Sequence, residues 1–402
     1  MKLLYSQLKK YLPELKASAV EVGDVFTQIG YMLDGVVEEV KYLGETDFLM
    51  DLEVRQNRAD CFGVQGLARE LSAYYNIPMH QSIYNTNFKI NDANEKENIP
   101  IEVKAKKAVK RVLAVKISDL TVGPSPEWLR EYLAFYEINS INNLVDLTNL
   151  VMVETAHPSH AFDLDKMGKE TLTWEMNSKT DYKFSTLDST QLILDTSILT
   201  ISDGDKPLSL AMIGGKDVAI DENTKNIILE IAIYDGGLVR RNSRKLKVFT
   251  EAGSRLEKFM DPDSIPQAFE LLVSLILENC GGQIASKVFD EYNDRLERNV
   301  ITVDLDKVQQ IAGVEIMHDQ SVQFLERLGF EIKSRRDSQV EVTRPLDRFD
   351  IEMQEDVWEE IIRLKGFYHL PKDQLLSRPA KDITPKHLTI IAVSYTHLRA
   401  HE

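Results

Sequence analysis

The sequence contains little cysteine. Only Cys61 and Cys280 occur in 402 residues, and neither has a Cys-x-x-Cys partner, so a disulfide framework or a zinc knuckle is not expected and a reducing cytoplasm fits. No apolar run approaches the ~20 residues of a membrane-spanning helix. The opening residues MKLLYSQLKKYLPEL lack the apolar core of a signal peptide and predict an amphipathic helix. We therefore expect a cytoplasmic protein without a membrane partner.

Positive charge is also scarce, because 48 basic residues face 64 acidic ones and the net charge is −16. A protein that binds nucleic acid unaided is usually basic, since phosphate contacts supply much of its affinity. Any contact with RNA should therefore be local or assisted by a partner. The sequence also lacks GxSxG, P-loop and HExxH motifs, which removes the simplest hydrolase, nucleotide-binding and metalloprotease assignments.

Composition and turn signals predict an α+β, multidomain chain whose β-rich middle block is flanked by helices. In the middle block, SPEWLREYLAFYEI predicts a helix with Ser125 as N-cap and Pro126 at its first position. SIPQAFELLVSLILENCGG predicts a closing helix that stops at glycine. The predicted blocks are residues 1–85, a linker at 86–100, 101–296, 297–372, and an irregular tail at 373–402. From about Ser394 on, this tail resembles a translated sequencing-adapter scar.

An acidic helix is predicted within RFDIEMQEDVWEEIIRLKGF. Spacing alone favours a solvated helix face on which Glu359 pairs with Arg363 four residues later. The alternative is a magnesium site, because a hard cation binds carboxylates and waters, and clustered carboxylates repel one another without one. The spacing does not decide between these interpretations. The carboxylates concerned are Asp350, Asp356, Glu359 and Glu360.

A second polar constellation lies in INNLVDLTNLVMVETAHPSHAFDLDK. Its histidines, three residues apart, are separated by Pro158, which breaks the helix that a metal site of this spacing would need. A pocket that orients a substrate and a water is one interpretation, and structural histidines are the other. Its polar side chains are Asn142, Asn143, Asp146, Asn149, His157 and His160.

Two further features stand in NIILEIAIYDGGLVRRNSRKLKVFTEAGSRLEK. Glu230 lies in an apolar strand, where a carboxylate is costly unless it is paired or used. A basic run follows, which is either a solvated helix face or a surface for a phosphate backbone. Its members are Arg240, Arg241, Arg244, Lys245 and Lys247.

These stretches together resemble the β subunit of bacterial phenylalanine–tRNA ligases. NRADCFGVQGLAREL, INNLVDLTNLVM…HPSHAFDLDK, ISDGDKPLSLAMIGG, NIILE…TEA…RLEK and RFDI…EDVWEEIIRLKGF occur in the family's order from near residue 1 to about residue 372. The resemblance implies a winged-helix-like third block. It also implies an editing pocket in the middle block that hydrolyses tyrosine wrongly attached to the phenylalanine tRNA.

The resemblance assigns roles to individual residues. Glu230 would sense the tyrosine hydroxyl, and Gly214 and Ala252 would complete the substrate pocket. No serine or cysteine nucleophile is evident, so His160, Asn149 and Thr250 are expected to position the ester and a water. Asp350, Asp356, Glu359 and Glu360 stand at the family's magnesium-ligand spacings, so the magnesium interpretation leads once the resemblance is included.

The resemblance also implies partners. A separate α subunit would bind ATP and phenylalanine and share the magnesium ion, in an assembly of two α and two β chains that acts on tRNA(Phe). The alternatives are a free-standing hydrolase of mischarged tRNA and a non-enzymatic module that binds nucleic acid or a partner; the acidic total disfavours the first and the acidic helix disfavours DNA.

The chain departs from the family pattern at several places. Asn139-Ser140 replaces the usual Arg-Pro, Gly253 replaces a serine, and Lys247 and Phe249 replace glycine and arginine. The oligonucleotide-binding insert of the first block and the family's C-terminal modules are expected to be absent.

Overall fold

The computed structural model describes residues 1–258, 260–295 and 297–371, so the tail predicted at 373–402 lies outside the described residues. Its first block is a small antiparallel sheet covered by helices. The predicted N-terminal helix is wrong for its first residues. Lys2–Leu4 form a strand that pairs with a later strand, and the helix begins only at Tyr5. The elements are β1 (Lys2–Leu4), α1 (Tyr5–Tyr11), α2 (Ala19–Gln28), β2 (Met32–Leu33), β3 (Glu38–Tyr42), β4 (Glu45–Glu53) and α3 (Val64–Tyr75).

The middle block holds two five-stranded sheets and a separate hairpin. One sheet has the order β13-β12-β11-β8-β5, and the other has β15-β6-β14-β7 with β16 also paired to β6. Its first elements are β5 (Ile101–Val103), β6 (Val109–Ser118), α4 (Glu127–Ala134), α5 (Asn143–Thr155), β7 (Ser159–Asp163), β8 (Leu172–Met176), β9 (Tyr182–Ser185), β10 (Gln191–Leu194) and β11 (Leu199–Asp203). They are followed by β12 (Lys206–Leu210), β13 (Ile213–Gly214), β14 (Ile227–Tyr234), α6 (Gly236–Leu246), α7 (Glu251–Leu256), α8 (Ile265–Cys280), β15 (Gln283–Ile284) and β16 (Phe289–Tyr292).

The third block is a three-stranded antiparallel sheet, in the order β17-β19-β18, with three helices. Its elements are β17 (Val300–Asp304), α9 (Leu305–Ala312), α10 (His318–Arg327), β18 (Glu331–Arg336), β19 (Gln339–Thr343) and α11 (Gln354–Lys365). Several sheets mixed with helices confirm the predicted α+β class.

Two helix ends show what local patterns determined. The closing helix of the middle block ends at Cys280 with Gly281 as its C-cap, as predicted. At α4 the predicted cap is wrong, because Pro126 is the N-cap and the Ser125 hydroxyl instead donates to Asp146 Oδ2 at 2.5 Å. The buried carboxylate of Asp146 attracts the serine away from the helix.

The hydrophobic core does not follow the predicted boundaries. One cluster runs from Leu3 in the first block to Cys280 at the end of α8, and it includes Phe88 and Ile99 from the predicted linker. The third block has its own cluster, which is joined by Ala73 of α3. The division into blocks stays a prediction, but the blocks pack on one another. Within the described residues, no helix is both long and apolar enough to span a bilayer.

Candidate functional site

The site is built on β14, a strand whose eight residues are all buried between β6 and β7. Its apolar, β-branched sequence suits a strand that is covered on both faces. Glu230 lies in the middle of this strand, directly opposite His160 of β7 and Ala114 of β6. Directly opposite residues of antiparallel strands project to the same face of the sheet. Glu230 and His160 therefore share one face.

The Glu230 carboxyl is buried, and one of its two oxygens is unpaired among the described residues. The residue is 1% exposed, and its Oε2 has no hydrogen-bond partner among the described residues. Burial raises the pKa of Glu230 to about 8, because a low-dielectric surrounding disfavours the carboxylate. At neutral pH the side chain is thus mainly a neutral carboxylic acid that can both donate and accept a hydrogen bond.

A cavity of about 320 Å³ lies between α5, β7, the β12–β13 connection and the start of α7. The structure brings together five of the six residues predicted for the editing pocket along its wall. Glu230 does not itself form the wall, although it lies on the His160 face of the sheet. The five are Asn149, His160, Gly214, Thr250 and Ala252.

Thr250 and His160 both contact the chain that leads into β13. The Thr250 hydroxyl donates to the carbonyl of Met212 at 2.8 Å and accepts from the Gly253 N–H at 2.9 Å, so it caps α7 while holding this wall. His160 Nε2 lies 3.5 Å from the carbonyl oxygen of Ala211. Burial lowers the pKa of His160, which keeps its imidazole neutral near pH 7.

Small residues allow the segments that form this wall to pack closely against their neighbours. A Cβ added at Gly214 would lie 3.0 Å from the Leu187 side chain. A Cβ added at Gly253, where the family pattern has serine, would lie 3.1 Å from both Met212 Cβ and Thr250 Oγ1. The glycine at 253 therefore fits the tight approach of α7 to the wall.

Most of the other polar side chains in the second constellation have structural roles. Asn142 caps α5 by accepting from the Val145 N–H, and Asp146 accepts from Ser125, Ser140 and the Ile141 N–H. His157 lies outside the 320 Å³ cavity, and its Nε2 is 2.7 Å from Ser264 Oγ. A larger cavity of about 660 Å³, where the three blocks meet, holds none of the six predicted pocket residues.

The carboxylates predicted to bind magnesium do not converge. Glu360 is buried, and its Oε2 accepts from Arg348 at 2.7 Å and from Arg363 at 2.5 Å. Burial alone would raise the pKa of Glu360, but the two guanidinium charges hold it well below its usual value. Both oxygens of Asp350 accept from Arg348 at 2.9 Å. These two carboxylates are therefore already neutralised by arginine.

The other two magnesium candidates point elsewhere. Asp356 accepts from the N–H groups of Glu352 and Met353 at the start of α11. Glu359 is half-exposed and pairs with Arg55 at 3.0 Å, so the predicted Glu359–Arg363 pair is wrong. Arg363 instead reaches the buried carboxylates of Glu360 and Glu70.

Within the described ranges, one group of three side chains brings potential metal-ligand atoms together, namely Asp60, Cys61 and Glu70. Arg58 Nη2 already lies among them, at 2.8 Å from Asp60, 2.6 Å from Glu70 and 3.1 Å from the Cys61 sulfur. The Arg58 guanidinium thus occupies the position that a metal ion would take. Sequence reasoning missed this arginine network, because Arg58, Asp60 and Cys61 meet in a turn rather than at helical spacing, and Glu70 links them to Arg363, 293 residues further along the chain.

Two family models match the chain. Residues 108–281 match the B3/4 domain, and residues 301–367 match the tRNA synthetase B5 domain. The first match contains all six residues predicted for the editing pocket, and the second contains the four predicted magnesium ligands. Each candidate site therefore lies within one of the two matched domains.

Curated relatives extend the similarity to most of the chain. The phenylalanine–tRNA ligase beta subunit of Clostridium acetobutylicum is 36% identical over 84% of this chain and 42% of its own length. That of Fusobacterium nucleatum is 34% identical over 81% of this chain and 41% of its own length. A solved N-terminal fragment of the phenylalanyl-tRNA synthetase beta subunit from Pyrococcus horikoshii aligns with a TM-score of 0.47 and 16% identity, covering 91% of this chain and 99% of the fragment.

The chain spans about two fifths of the length of the curated relatives it matches. Over that region the sequence similarity is continuous and includes both domain matches in order. The chain therefore belongs to the family of phenylalanine–tRNA ligase β subunits.

Proposed function

We propose that the chain acts as the β-subunit part of a phenylalanine–tRNA ligase and removes tyrosine from wrongly charged tRNA(Phe) in the 320 Å³ cavity. The observation that carries the proposal is the unpartnered carboxyl oxygen of Glu230, which lies beside His160 in the described part of the chain. A buried polar group without a partner costs free energy that a matching ligand group would recover.

Selectivity follows from that buried carboxyl. Phenylalanine and tyrosine differ by one hydroxyl, and an apolar synthetic pocket rejects an added hydroxyl only modestly. A site that hydrogen-bonds the hydroxyl can discriminate by about 10⁴-fold, because phenylalanine would leave the buried acceptor unpaired. Glu230 lies on the His160 face of the sheet but outside the cavity wall, so the proposed contact requires the bound ring to reach past His160. Gly214 and Ala252 line the cavity, and because these residues are small, they leave room for an aromatic ring.

Hydrolysis of an aminoacyl ester needs an oriented water rather than a protein nucleophile. His160 is held neutral by burial, so its imidazole can hydrogen-bond the water or the ester without carrying charge. Asn149 faces the same cavity from α5. The Thr250 hydroxyl already donates to Met212, so its contribution is to hold the wall and to offer a remaining lone pair.

The partners and cofactors belong to the same proposal. An α subunit would bind ATP and phenylalanine. Two α and two β chains would assemble in the cytoplasm and act together on tRNA(Phe). Magnesium binding by Asp350, Asp356, Glu359 and Glu360 stays a prediction. The arrangement of these four residues does not fit one ion, because Arg348 and Arg363 would have to release two of the carboxylates. No step of the proposed hydrolysis uses a metal.

The proposal is tested by hydrolysis of tyrosyl-tRNA(Phe), with phenylalanyl-tRNA(Phe) as the control substrate. We expect release of tyrosine, and Glu230→Ala should lower kcat/KM for tyrosyl-tRNA by about 5- to 150-fold, because a tyrosine hydroxyl left buried without its partner costs about 1–3 kcal/mol. Glu222→Ala, at an exposed position, is the matched control and should leave the rate unchanged. Equal hydrolysis of both substrates, or none from a folded chain, would refute the proposal.

A further inference from the structure

Four residues of the basic run lie on the solvent face of α6, and the fifth, Lys247, is the C-cap of that helix. The helix is anchored by buried Asn242, which donates to the Ser197 carbonyl and accepts from the Leu199 N–H. Val239 and Ser243 are buried beside it. All five basic side chains of the run are exposed, namely Arg240, Arg241, Arg244, Lys245 and Lys247.

Three of these cations lack a carboxylate partner among the residues that the structure describes. Arg241 lies 3.9 Å from Asp235, and Lys245 pairs with Asp195. Arg240, Arg244 and Lys247 form no ion pair within the described ranges. Arg240 and Arg244 lie one turn apart on α6, and Lys247 follows them along the chain as the left-handed C-cap residue; we call these three residues the α6 stripe. Like charges four residues apart destabilise a helix, so this stripe favours an anionic partner on a chain whose net charge is −16.

Along the chain, Phe249 lies between Lys247 of this stripe and the cavity-lining Thr250. It is 76% exposed. Its neighbour Val248 packs into the cluster of the β9–β10 hairpin, and its other neighbour, Thr250, turns inward to Met212. Phe249 therefore faces solvent one residue from the cavity wall. Leu187, which also lines the cavity, is 52% exposed.

We infer that the α6 stripe and Phe249 bind the single-stranded 3′ end of the tRNA, with phosphates on Arg240, Arg244 and Lys247 and a base stacked on Phe249. The inference rests on the proposed function, since an ester held in the cavity leaves its nucleotides to exit over this surface. Single-stranded nucleic acid is bound through a cationic track combined with aromatic stacking. The locally basic helix also explains how an acidic chain meets RNA.

The test measures binding of a short fluorescent single-stranded RNA to the 402-residue chain over a range of salt concentrations. Arg244→Glu should weaken binding and flatten the salt dependence, whose slope falls by about 0.7 for each phosphate that the protein no longer neutralises. Arg336→Glu is the matched control, because this arginine is exposed on β18 in the third block. It should leave both the affinity and the slope unchanged.

Stacking is tested separately at Phe249. Phe249→Ala should weaken RNA binding by about 5- to 150-fold, and Phe249→Trp should retain it, because base–aromatic stacking tolerates any flat ring. Tyr368→Ala, at another exposed aromatic residue, is the control. With tyrosyl-tRNA as substrate, Phe249→Ala should raise KM and leave kcat nearly unchanged.

The outcomes separate the two proposals. If wild type does not bind the RNA, or if Arg244→Glu and Phe249→Ala behave as their controls do, the surface is wrong, whether or not tyrosyl-tRNA is hydrolysed. If RNA binding depends on these residues but tyrosyl-tRNA is not hydrolysed, the surface stands and the proposed hydrolysis fails.

Discussion

Glu230 and Glu154 show at the residue scale how two buried glutamates can differ. Both are at most 1% exposed, and burial raises the pKa of each. Around Glu154 four side chains donate hydrogen bonds, whereas Oε2 of Glu230 has no partner in the described parts of the chain. Glu154 is thus a satisfied structural centre, whereas Glu230 keeps a buried oxygen that is free for the proposed tyrosine hydroxyl. The donors to Glu154 are Gln7, Tyr11, Tyr84 and Tyr132.

The raised pKa of Glu230 predicts a pH-dependent stability. Between about pH 4.5 and about pH 8 the unfolded chain has lost this proton and the folded chain has kept it, so folding is opposed more strongly as pH rises. Glu230→Gln should remove a slope of at most about 1.4 kcal/mol per pH unit from the free energy of unfolding. Urea unfolding across this pH range measures it.

The exposed Glu222→Gln variant is the control for that measurement, and its slope should match wild type. If Glu230→Gln and wild type had equal slopes, the Glu230 carboxyl would be solvated or paired in the folded chain, and the basis for hydroxyl recognition would be lost.

At the scale of elements, α11 is packed on two sides. Val357, Ile361 and Leu364 enter the core of the third block, and Trp358 Nε1 donates to the Asp304 carbonyl at 3.0 Å. On another side, Arg363 donates to the Ile29 carbonyl at 3.2 Å and pairs with Glu70 of α3. The acidic helix therefore joins the third block to the first.

The position of Glu360 predicts a large loss of stability on truncation. Glu360→Ala leaves Arg348 and Arg363 buried with reduced compensation, which should cost about 3–5 kcal/mol. Glu359→Ala removes only a half-exposed pair with Arg55 and should cost less than about 1 kcal/mol. Denaturant unfolding of the two variants makes the comparison.

Similar losses in the two variants would contradict this account of α11. A rise in Tm of wild type on addition of Mg²⁺, abolished by Glu360→Ala, would instead support the magnesium prediction, because it would show that the arginines yield Glu360 to an ion.

At the scale of the whole molecule, charged pairs connect the third block to both of the others. Arg344 of the third block pairs with buried Asp261 of the middle block at 3.0 Å, and Arg69 of the first block pairs with Asp347 at 3.2 Å. The main hydrophobic cluster also runs through the first and middle blocks. The described residues should therefore unfold as one cooperative unit.

Cooperativity can be measured with single-tryptophan variants that keep either Trp174 in the middle block or Trp358 in the third. We expect the same denaturation midpoint from both probes. Arg363→Ala should lower the Trp358 midpoint below that of Trp174, because it removes the buried link to Glu70. The control Arg336→Ala should keep the midpoints together, and separate midpoints in wild type would disprove the single unit.

The sequence by itself determined the local features and the order of the motifs. A glutamate in an apolar strand and a glycine after an apolar helix are recognised from short-range patterns. The structure places them in β14 and at the end of α8. Motif resemblance added that Asn149, Gly214 and Ala252 belong to one pocket, and they do line one cavity.

Only the tertiary structure decided which partner each charge meets. Helical spacing paired Glu359 with Arg363, but packing against the first block turned Arg363 towards Glu70 and Glu360. Likewise the Ser125 hydroxyl does not cap α4 but donates to the buried carboxylate of Asp146. The physical reason is that hydrogen bonds and ion pairs gain strength where water is excluded. Which atoms are excluded from water depends on packing between distant segments, which local sequence patterns do not encode.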